Sequence, residues 1–281
     1  MSPMTRAYWS QVKAGGLAVP DDRPLAELTT ELTTMLGSPD PHMRDGLAYP
    51  TLATWVDRGV YDDLLIGLGD GMAAGLTVGL GEQGTDSVFR RTFSVLVLAE
   101  CIDRTNQEDL VPAAKLMAWG DHIASWYLRE RDLRGFVPGQ GWAHAVAHGA
   151  DAIGVLARSE HLGRNELTVL LDVLGDRVLA PVDALFAHGE PDRMALATMT
   201  VLRRNIVPLS VVEPWVARIA AGARLPMGGE ADPYLAGGNA EAFLRALHLQ
   251  LALAPAPPEI RSDLLLEVVA ALRSTNPTYL S

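Results

Sequence analysis

Cysteine is almost absent from this sequence. Its 281 residues include one cysteine, Cys101, so no disulfide can form within the chain. A single thiol in the apolar stretch VLVLAECI favours a reduced, cytoplasmic compartment. The opening residues MSPMTRAYWSQVKAGG have no apolar core before a small-residue cleavage site, so no signal peptide is expected.

Basic residues are also scarce. The chain has 23 Lys and Arg against 34 Asp and Glu, which gives a formal net charge of -11. Because nucleic-acid binding depends on clustered cations, no nucleic-acid partner is predicted, and a weak bias toward neutral or cationic partners is expected. Small basic patches at Arg129, Arg131 and Arg134, or at Arg203 and Arg204, stay open.

Several signatures of membrane and cofactor binding are missing. No apolar run reaches the ~20 residues that a membrane helix needs, so no membrane partner is predicted. The sequence lacks a phosphate-binding glycine loop followed by Lys and Ser or Thr, a dinucleotide glycine fingerprint and a serine nucleophile elbow. We therefore predict no cofactor.

Helical periodicity is present along most of the chain. Apolar residues recur at i, i+3, i+4 and i+7, and no segment alternates for long enough to predict a strand. The predicted fold class is therefore all-α. Helices are expected at 5–14, 24–36, 41–58, 62–77, 85–103, 112–131, 142–158, 165–187, 191–206, 209–222, 239–253 and 259–273. Loops are expected at 81–84, 134–141, 228–239 and 255–258.

Four segments of similar character indicate a repeat. They begin at residues 44, 90, 144 and 193, each with a charged or polar residue followed by an apolar stripe. The spacings of 46, 54 and 49 residues suit pairs of helices, as in HEAT and armadillo arrays. We predict a single α-helical repeat domain over 1–281, an α-solenoid of helix pairs. An irregular helical bundle is the alternative.

The stretch GWAHAVAHGAD, residues 141–151, has the most distinctive side chains. If 142–158 forms one helix, His144, His148 and Asp151 project together within about 60°, opposite an apolar stripe. Two histidines at i and i+4 can reach one metal ion, and an aspartate one turn on can bind it or orient an imidazole.

Three interpretations of these residues stay open. A metal site would need ligands from elsewhere, because Ala145 stands where the helical zinc motif has its glutamate, and no metal is assigned. A helix–helix contact would use the imidazoles to satisfy backbone carbonyls or a carboxylate. A polar pocket without metal would use His144, His148 and Asp151 as catalytic residues for proton transfer, since the pKa of histidine lies near neutrality.

Candidate ligand-binding residues lie close by or in corresponding repeats. The glycine-rich loop RGFVPGQG follows a charged helix end, and its arginine can reach an anionic group with two donors. Two other repeat starts, at residues 44 and 90, also carry arginine and aspartate, and the first carries a tyrosine. If the repeats stack, these side chains would face one groove together with the histidines. The alternative is a structural role, in which they bond from one repeat to the next and satisfy helix ends. The predicted ligand-binding residues are Arg134, Trp142, Arg91, Asp45 and Tyr49.

Most other large aromatic residues indicate core packing. They lie at helical spacing among Leu, Ile and Ala, a pattern typical of a buried helix face. The predicted core aromatics are Trp55, Trp119, Trp126, Tyr127 and Trp215.

Several long phrases resemble an uncharacterised bacterial family, domain of unknown function 2785. The phrases are Tyr8-Trp9, ELTTMLGSPDPHMRD, LAYPTLATWVDRG, GTDSVFRRTFSVLVLA and YLRERDLRGFVPGQGWAHAVAHGAD. The resemblance covers about 8–162 and is poor over the last third. It implies a soluble, all-helical bacterial protein and supplies no reaction.

Three functional hypotheses follow. The first is a cytoplasmic binding module whose polar concave pocket, centred on 130–151, holds a peptide, a protein or a small polar ligand. The second is an enzyme in which His144, His148 and Asp151 perform acid–base or metal-assisted hydrolytic chemistry. The third is a purely structural scaffold.

Overall fold

The computed structural model describes residues 3–224 and 232–280. Within these ranges the chain is mostly helical, which confirms the all-α class. The helices are α1 Pro3–Ala14, α2 Leu25–Met35, α3 Pro41–Met43, α4 Tyr49–Asp57, α5 Leu65–Gly75, α6 Ser87–Glu108, α7 Ala113–Arg129, α8 Ala145–Ala157, α9 Arg164–Leu179, α10 Glu190–Leu202, α11 Leu209–Ala223, α12 Pro233–Leu253, α13 Arg261–Thr275 and α14 Pro277–Leu280. A π-helix spans Arg44–Ala48, a 3-10 helix spans Asp62–Leu64, and a hairpin joins β1 Phe136–Val137 to β2 Gly141–Trp142.

The chain divides into two compact units, Met1–Ala152 and Ile153–Ser281. In the first unit, α4 and α5 pack on α6, α5 also packs on α7, and α2 packs on α4. In the second, α10 packs on α12, α11 packs on both α12 and α13, and α9 packs on α11. The prediction of one repeat domain over 1–281 stays a prediction.

The predicted aromatic core is confirmed. In the first unit the side chains of Trp55, Trp119, Trp126 and Tyr127 are buried, and in the second unit Trp215 is buried. Periodicity locates such residues because a helix buries one face, so large apolar side chains recur on that face.

The predicted helix over 142–158 is wrong at its start. Helix α8 begins at Ala145, and Trp142 lies in strand β2 of the hairpin. His144 has a φ of 53°, in the left-handed region, which a right-handed helix cannot include. The amides of Ala143 and His144 instead donate to the carbonyls of Gly135 and Arg134, both at 2.9 Å.

Other helix bounds also differ from the prediction, and the two largest differences are the end of α9 and the start of α12. Helix α9 ends at Leu179 rather than at 187. It ends there because Ala180 is extended, as is usual for a residue before proline, and Pro181 follows. Helix α12 begins at Pro233 rather than at 239, because the Asp232 side chain accepts a hydrogen bond from the Tyr234 amide and caps the helix. Residues 228–231 of the predicted loop lie outside the described residues.

Arginine side chains recurrently donate to backbone carbonyls at or near helix ends. The last carbonyls of a helix have no hydrogen-bond partner within the helix, and a guanidinium can donate to them. Its positive charge is also attracted to the negative, C-terminal end of the helix dipole. Arg204, for example, donates to the carbonyls of Ala157, Ser159 and Leu162. Arginines that donate in this way include Arg44, Arg58, Arg90 and Arg91 in the first unit and Arg203, Arg204 and Arg261 in the second.

Within residues 3–224 and 232–280 no helix is both long enough and apolar enough to cross a membrane.

Candidate functional site

The turn before α8 brings the two histidines together although only one of them is in the helix. His144 precedes the helix, and its carbonyl accepts the first helical hydrogen bond, from the His148 amide at 2.9 Å. The two ring centroids lie 5.6 Å apart with an edge-to-face orientation. Left-handed backbone at a non-glycine residue is uncommon and concentrates at functional sites.

Aromatic rings of the hairpin extend from His144. The Trp142 ring stacks on the His144 ring with centroids 4.5 Å apart and an interplanar angle of 20°. Phe136, the cross-strand partner of Trp142, contacts the tryptophan edge-to-face at 5.0 Å. Both hairpin rings are exposed, Phe136 at 48% and Trp142 at 39%, so they face solvent.

On the other side, His148 contacts helix α6. Its ring meets the Phe93 ring edge-to-face at 5.4 Å, and Phe93 meets Tyr49 in the same way at 6.1 Å. The Tyr49 hydroxyl donates to Glu100 at 2.7 Å. We name this continuous series of rings the ring row; its members are Phe136, Trp142, His144, His148, Phe93 and Tyr49.

The tautomer of His148 follows from its contact with α6. Its Nδ1 lies 3.3 Å from the carbonyl oxygen of Thr92. A carbonyl can only accept, so Nδ1 carries the proton when this hydrogen bond forms. In the neutral ring Nε2 is then the basic nitrogen.

Asp151 lies three residues after His148 on α8 and is partly exposed. That spacing places it one turn further along the same helix face. Its predicted role as the group that orients an imidazole stays a prediction.

A π-helix, Arg44–Ala48, contains Asp45 and ends directly before Tyr49, a member of the row. The Tyr49 amide donates to the Arg44 carbonyl, which is the wide π-type bond. Pro50 has no N–H for the Gly46 carbonyl, and Lys13 donates to that carbonyl instead, at 2.8 Å. Single π turns within helices are frequent at functional sites.

Asp45 is held by Arg44, the residue before it. Two hydrogen bonds join them, Nε to Oδ1 at 2.7 Å and Nη2 to Oδ2 at 3.3 Å. Burial raises the pKa of the Asp45 carboxyl, and the attraction of Arg44 opposes part of this rise. Burial likewise lowers the pKa of the Arg44 guanidinium, again opposed by Asp45.

The predicted ligand anchor Arg134 has a carboxylate partner. Its guanidinium donates to both oxygens of the buried Asp132, at 2.8 and 2.7 Å, and to the Thr85 carbonyl at 2.8 Å. These hydrogen bonds raise the pKa of Arg134. Asp132 also accepts from the Gly84 amide at 2.9 Å, so the pair fastens the segment before the hairpin to the loop before α6.

Arg91, the other predicted anchor, is completely buried. It donates to Glu130 at 2.5 and 2.9 Å, to the carbonyls of Val78 and Gly79, and to the Ser87 hydroxyl. The Glu130 carboxylate also accepts from the Trp126 indole at 2.9 Å. This arrangement holds the loop after α5 and the end of α7 against α6.

Sequence reasoning missed Phe93 and Glu100 as neighbours of the site; it placed Arg44 with Asp45 and Tyr49 near the groove but did not choose Arg44 as a ligand-binding residue. Phe93 reads as a core residue, because it lies in the apolar stripe of α6. Arg44 stands beside Asp45 in the sequence, but its burial against α6 depends on contacts that local pattern does not carry.

No group of three or more His, Cys, Asp or Glu side chains suited to a metal ion occurs within 3–224 and 232–280. The ring row carries imidazole, indole and phenol groups, and its Tyr49 hydroxyl donates to the Glu100 carboxylate. Such groups supply stacking, hydrogen bonds and proton transfer.

Comparison with known proteins identifies a family. A family model described as "Protein of unknown function (DUF2785)" matches residues 76–249, which is more than half of the chain. The match begins later and extends further than the 8–162 expected from the phrases, and it contains the hairpin and both histidines. Neither the search of the curated proteins nor the search of the solved structures found a match. The chain belongs to the DUF2785 family.

Proposed function

We propose that this protein is a binding module whose site for a small polar ligand is the ring row. One observation carries the proposal: rings from the hairpin, the start of α8, α6 and α4 meet in one continuous series that ends in exposed Trp142 and Phe136. Aromatic side chains with a few placed polar groups are typical of ligand sites. His144, His148 and the Tyr49–Glu100 pair would supply those polar groups.

The backbone on two sides of the row supports this proposal. The π-helix at Arg44–Ala48 precedes Tyr49, and the left-handed His144 precedes α8. Both conformations are less stable than regular helix, and such costs are concentrated at functional sites.

The proposal includes an α-solenoid of helix pairs, as in HEAT and armadillo proteins. In such arrays, corresponding helices of successive pairs lie side by side. Within the first unit α4 packs on α6 and α5 on α7, and within the second α10 packs on α12 and α11 on α13. This alternation, in which a helix packs on the second helix after it, is the support.

We also infer a cytoplasmic protein from the single, buried Cys101. Burial raises the pKa of this thiol well above its usual range, which suits a structural rather than a reactive thiol.

A ligand test can use three probes of different chemistry: benzoate, choline and glycylglycine, each titrated into isotope-labelled protein. We expect at least one probe to shift the Trp142 indole N–H signal and the His144 ring signals in a saturable way. Trp142→Ala should weaken that binding about tenfold or more, since aromatic anchors dominate binding energies. Tyr234→Ala removes another exposed aromatic side chain, in the second unit, and is the matched control.

The binding proposal fails if no probe shifts these signals in the wild-type protein. It also fails if Trp142→Ala and Tyr234→Ala bind the probes equally well.

One observation favours an enzyme as the second candidate. Nδ1 of His148 lies 3.3 Å from the Thr92 carbonyl, which would hold the imidazole as the Nδ1–H tautomer, and a histidine oriented in this way can act as a general base. Nitrogen NMR of the imidazole is expected to report the Nδ1–H tautomer for His148 at a pH above its titration. An Nε2–H tautomer would remove the support for this candidate.

A further inference from the structure

The Arg44 side chain is completely buried and makes contacts with three separate segments. Its Nη1 donates to the Ser38 carbonyl at 2.7 Å, and its Nη2 donates to the Gln140 carbonyl at 2.7 Å. Nε and Nη2 also bond the Asp45 carboxylate. One guanidinium thereby joins the loop before α3, the π-helix and the tip of the hairpin.

Arg44 also contacts helix α6 through its flat face. Its Cζ lies 4.0 Å from the centroid of the Phe89 ring and 4.8 Å from the centroid of Phe93. Cation–π contacts are strongest when they are removed from water, as they are here. Phe93 is a member of the ring row, so the guanidinium is in direct contact with the row.

The hairpin fits onto Arg44 because residue 141 is glycine. Gly141 has a φ of 80°, and a Cβ placed there would lie 3.2 Å from Nη2 of Arg44 and 3.0 Å from Cβ of Pro41. The neighbouring Gln140 is bonded through its side chain in addition to its carbonyl, because its Nε2 donates to Asp86 at 2.9 Å. Trp142 follows Gly141 directly in the chain.

We infer that Arg44 is a positioning residue for the ring row: it fixes the hairpin where Trp142 stacks on His144. This inference rests on the proposed function for the part that concerns ligands. Arg44 would touch no ligand, and its effect passes through the Gln140 carbonyl and the Phe93 ring.

Arginine is required here by geometry rather than by charge. A planar fork of five N–H donors can reach the carbonyls of Ser38 and Gln140 and the Asp45 carboxylate at the same time. A lysine ammonium is a single point with tetrahedral donors, and it has no flat face to lie against Phe89 and Phe93. Arg44→Lys therefore keeps the charge and removes the fork.

Hydrogen exchange of the hairpin amides tests the inference without any ligand. Arg44→Lys loses the hydrogen bond that the charged guanidinium donates to the Gln140 carbonyl, so the hairpin should open more often. We therefore expect the amides of Ala143 and His144 to exchange about tenfold faster or more. The His144 ring signals should also move as stacking on Trp142 is lost.

Arg58→Lys replaces an exposed arginine whose guanidinium also donates to two carbonyls, those of Gly16 and Leu17, and is the control for the substitution itself. Amides in the middle of α7, measured in Arg44→Lys, report any general loss of stability and should change less than those of Ala143 and His144.

Exchange within roughly twofold of wild type at these two amides in a folded Arg44→Lys protein would overturn the inference. So would an equal acceleration in Arg58→Lys, because the effect would then be general loss of stability. If Arg44→Lys does not fold, Gly141→Ala disturbs the same contact from the hairpin side and is expected to accelerate the same amides.

The two proposals fail separately. If the probes benzoate, choline and glycylglycine bind wild type and Arg44→Lys equally while the amides exchange faster, Arg44 positions the hairpin but not the ligand site. If no probe binds the wild type, the proposed function fails, and hydrogen exchange still decides whether Arg44 holds the hairpin.

Discussion

Replacing Arg91 by methionine is expected to lower the free energy of unfolding by about 3–5 kcal/mol, the usual cost of leaving one charge of a buried pair without its partner. Arg91 and Glu130 are both shielded from solvent, and the methionine would leave the Glu130 carboxylate buried without its cation. Urea denaturation followed by tryptophan fluorescence measures the change.

Two further variants identify the cause of this loss. Glu130→Gln should cost less than Arg91→Met, because Arg91 keeps the Val78 and Gly79 carbonyls as acceptors. Arg104→Met removes another arginine of α6, whose partner Asp62 is partly exposed, and should cost about 1 kcal/mol or less. Equal losses in Arg91→Met and Arg104→Met would contradict the assignment of the effect to a buried, unpaired carboxylate.

Gly149→Ala and Gly154→Ala are expected to change stability in opposite directions, although both glycines lie in α8. A Cβ at Gly149 would lie 2.3 Å from Cδ2 of Tyr127, so the tyrosine ring must move, and overpacking of this kind costs about 1–3 kcal/mol. The nearest atom to a Cβ at Gly154 is Cα of Ala197 at 3.5 Å, an ordinary contact.

At Gly154 the higher helix propensity of alanine should therefore dominate and stabilise by up to about 1 kcal/mol. Thermal unfolding of the two variants measures the difference. In a Tyr127→Leu background Gly149→Ala should cost less than it does in the wild type, because the ring that the new Cβ meets is gone. Destabilisation of both glycine variants to the same extent would contradict the packing argument.

The helices could be predicted because their signals are local. Trp119 and Trp126 lie seven residues apart on one face of α7, and burial of that face needs no knowledge of distant residues. Asp232 followed by Pro233 is also a local signal for a helix start. The sequence prediction nevertheless begins the helix at 239, because Gly237 and Gly238 have low helix propensity.

The arrangement of the candidate site could be predicted only in part. His144 and His148 were expected to be neighbours, and they are, but through a turn and not through one helix. The positive φ of His144 could not be predicted from the sequence around it. It accompanies hydrogen bonds from the amides of Ala143 and His144 to the carbonyls of Gly135 and Arg134, directly before the other strand of the hairpin. Arg44 meets Gln140 across 96 residues of sequence, and that distance is beyond any local pattern.

The arginines that donate to helix-end carbonyls have a consequence for the field around the protein. Their charges are directed toward the backbone, while carboxylates such as Asp63 and Glu213 are exposed to solvent. A molecule that diffuses toward the chain therefore experiences a potential set mainly by acids. Encounter rates with positively charged molecules should fall as ionic strength rises, because dissolved ions shorten the range of that attraction.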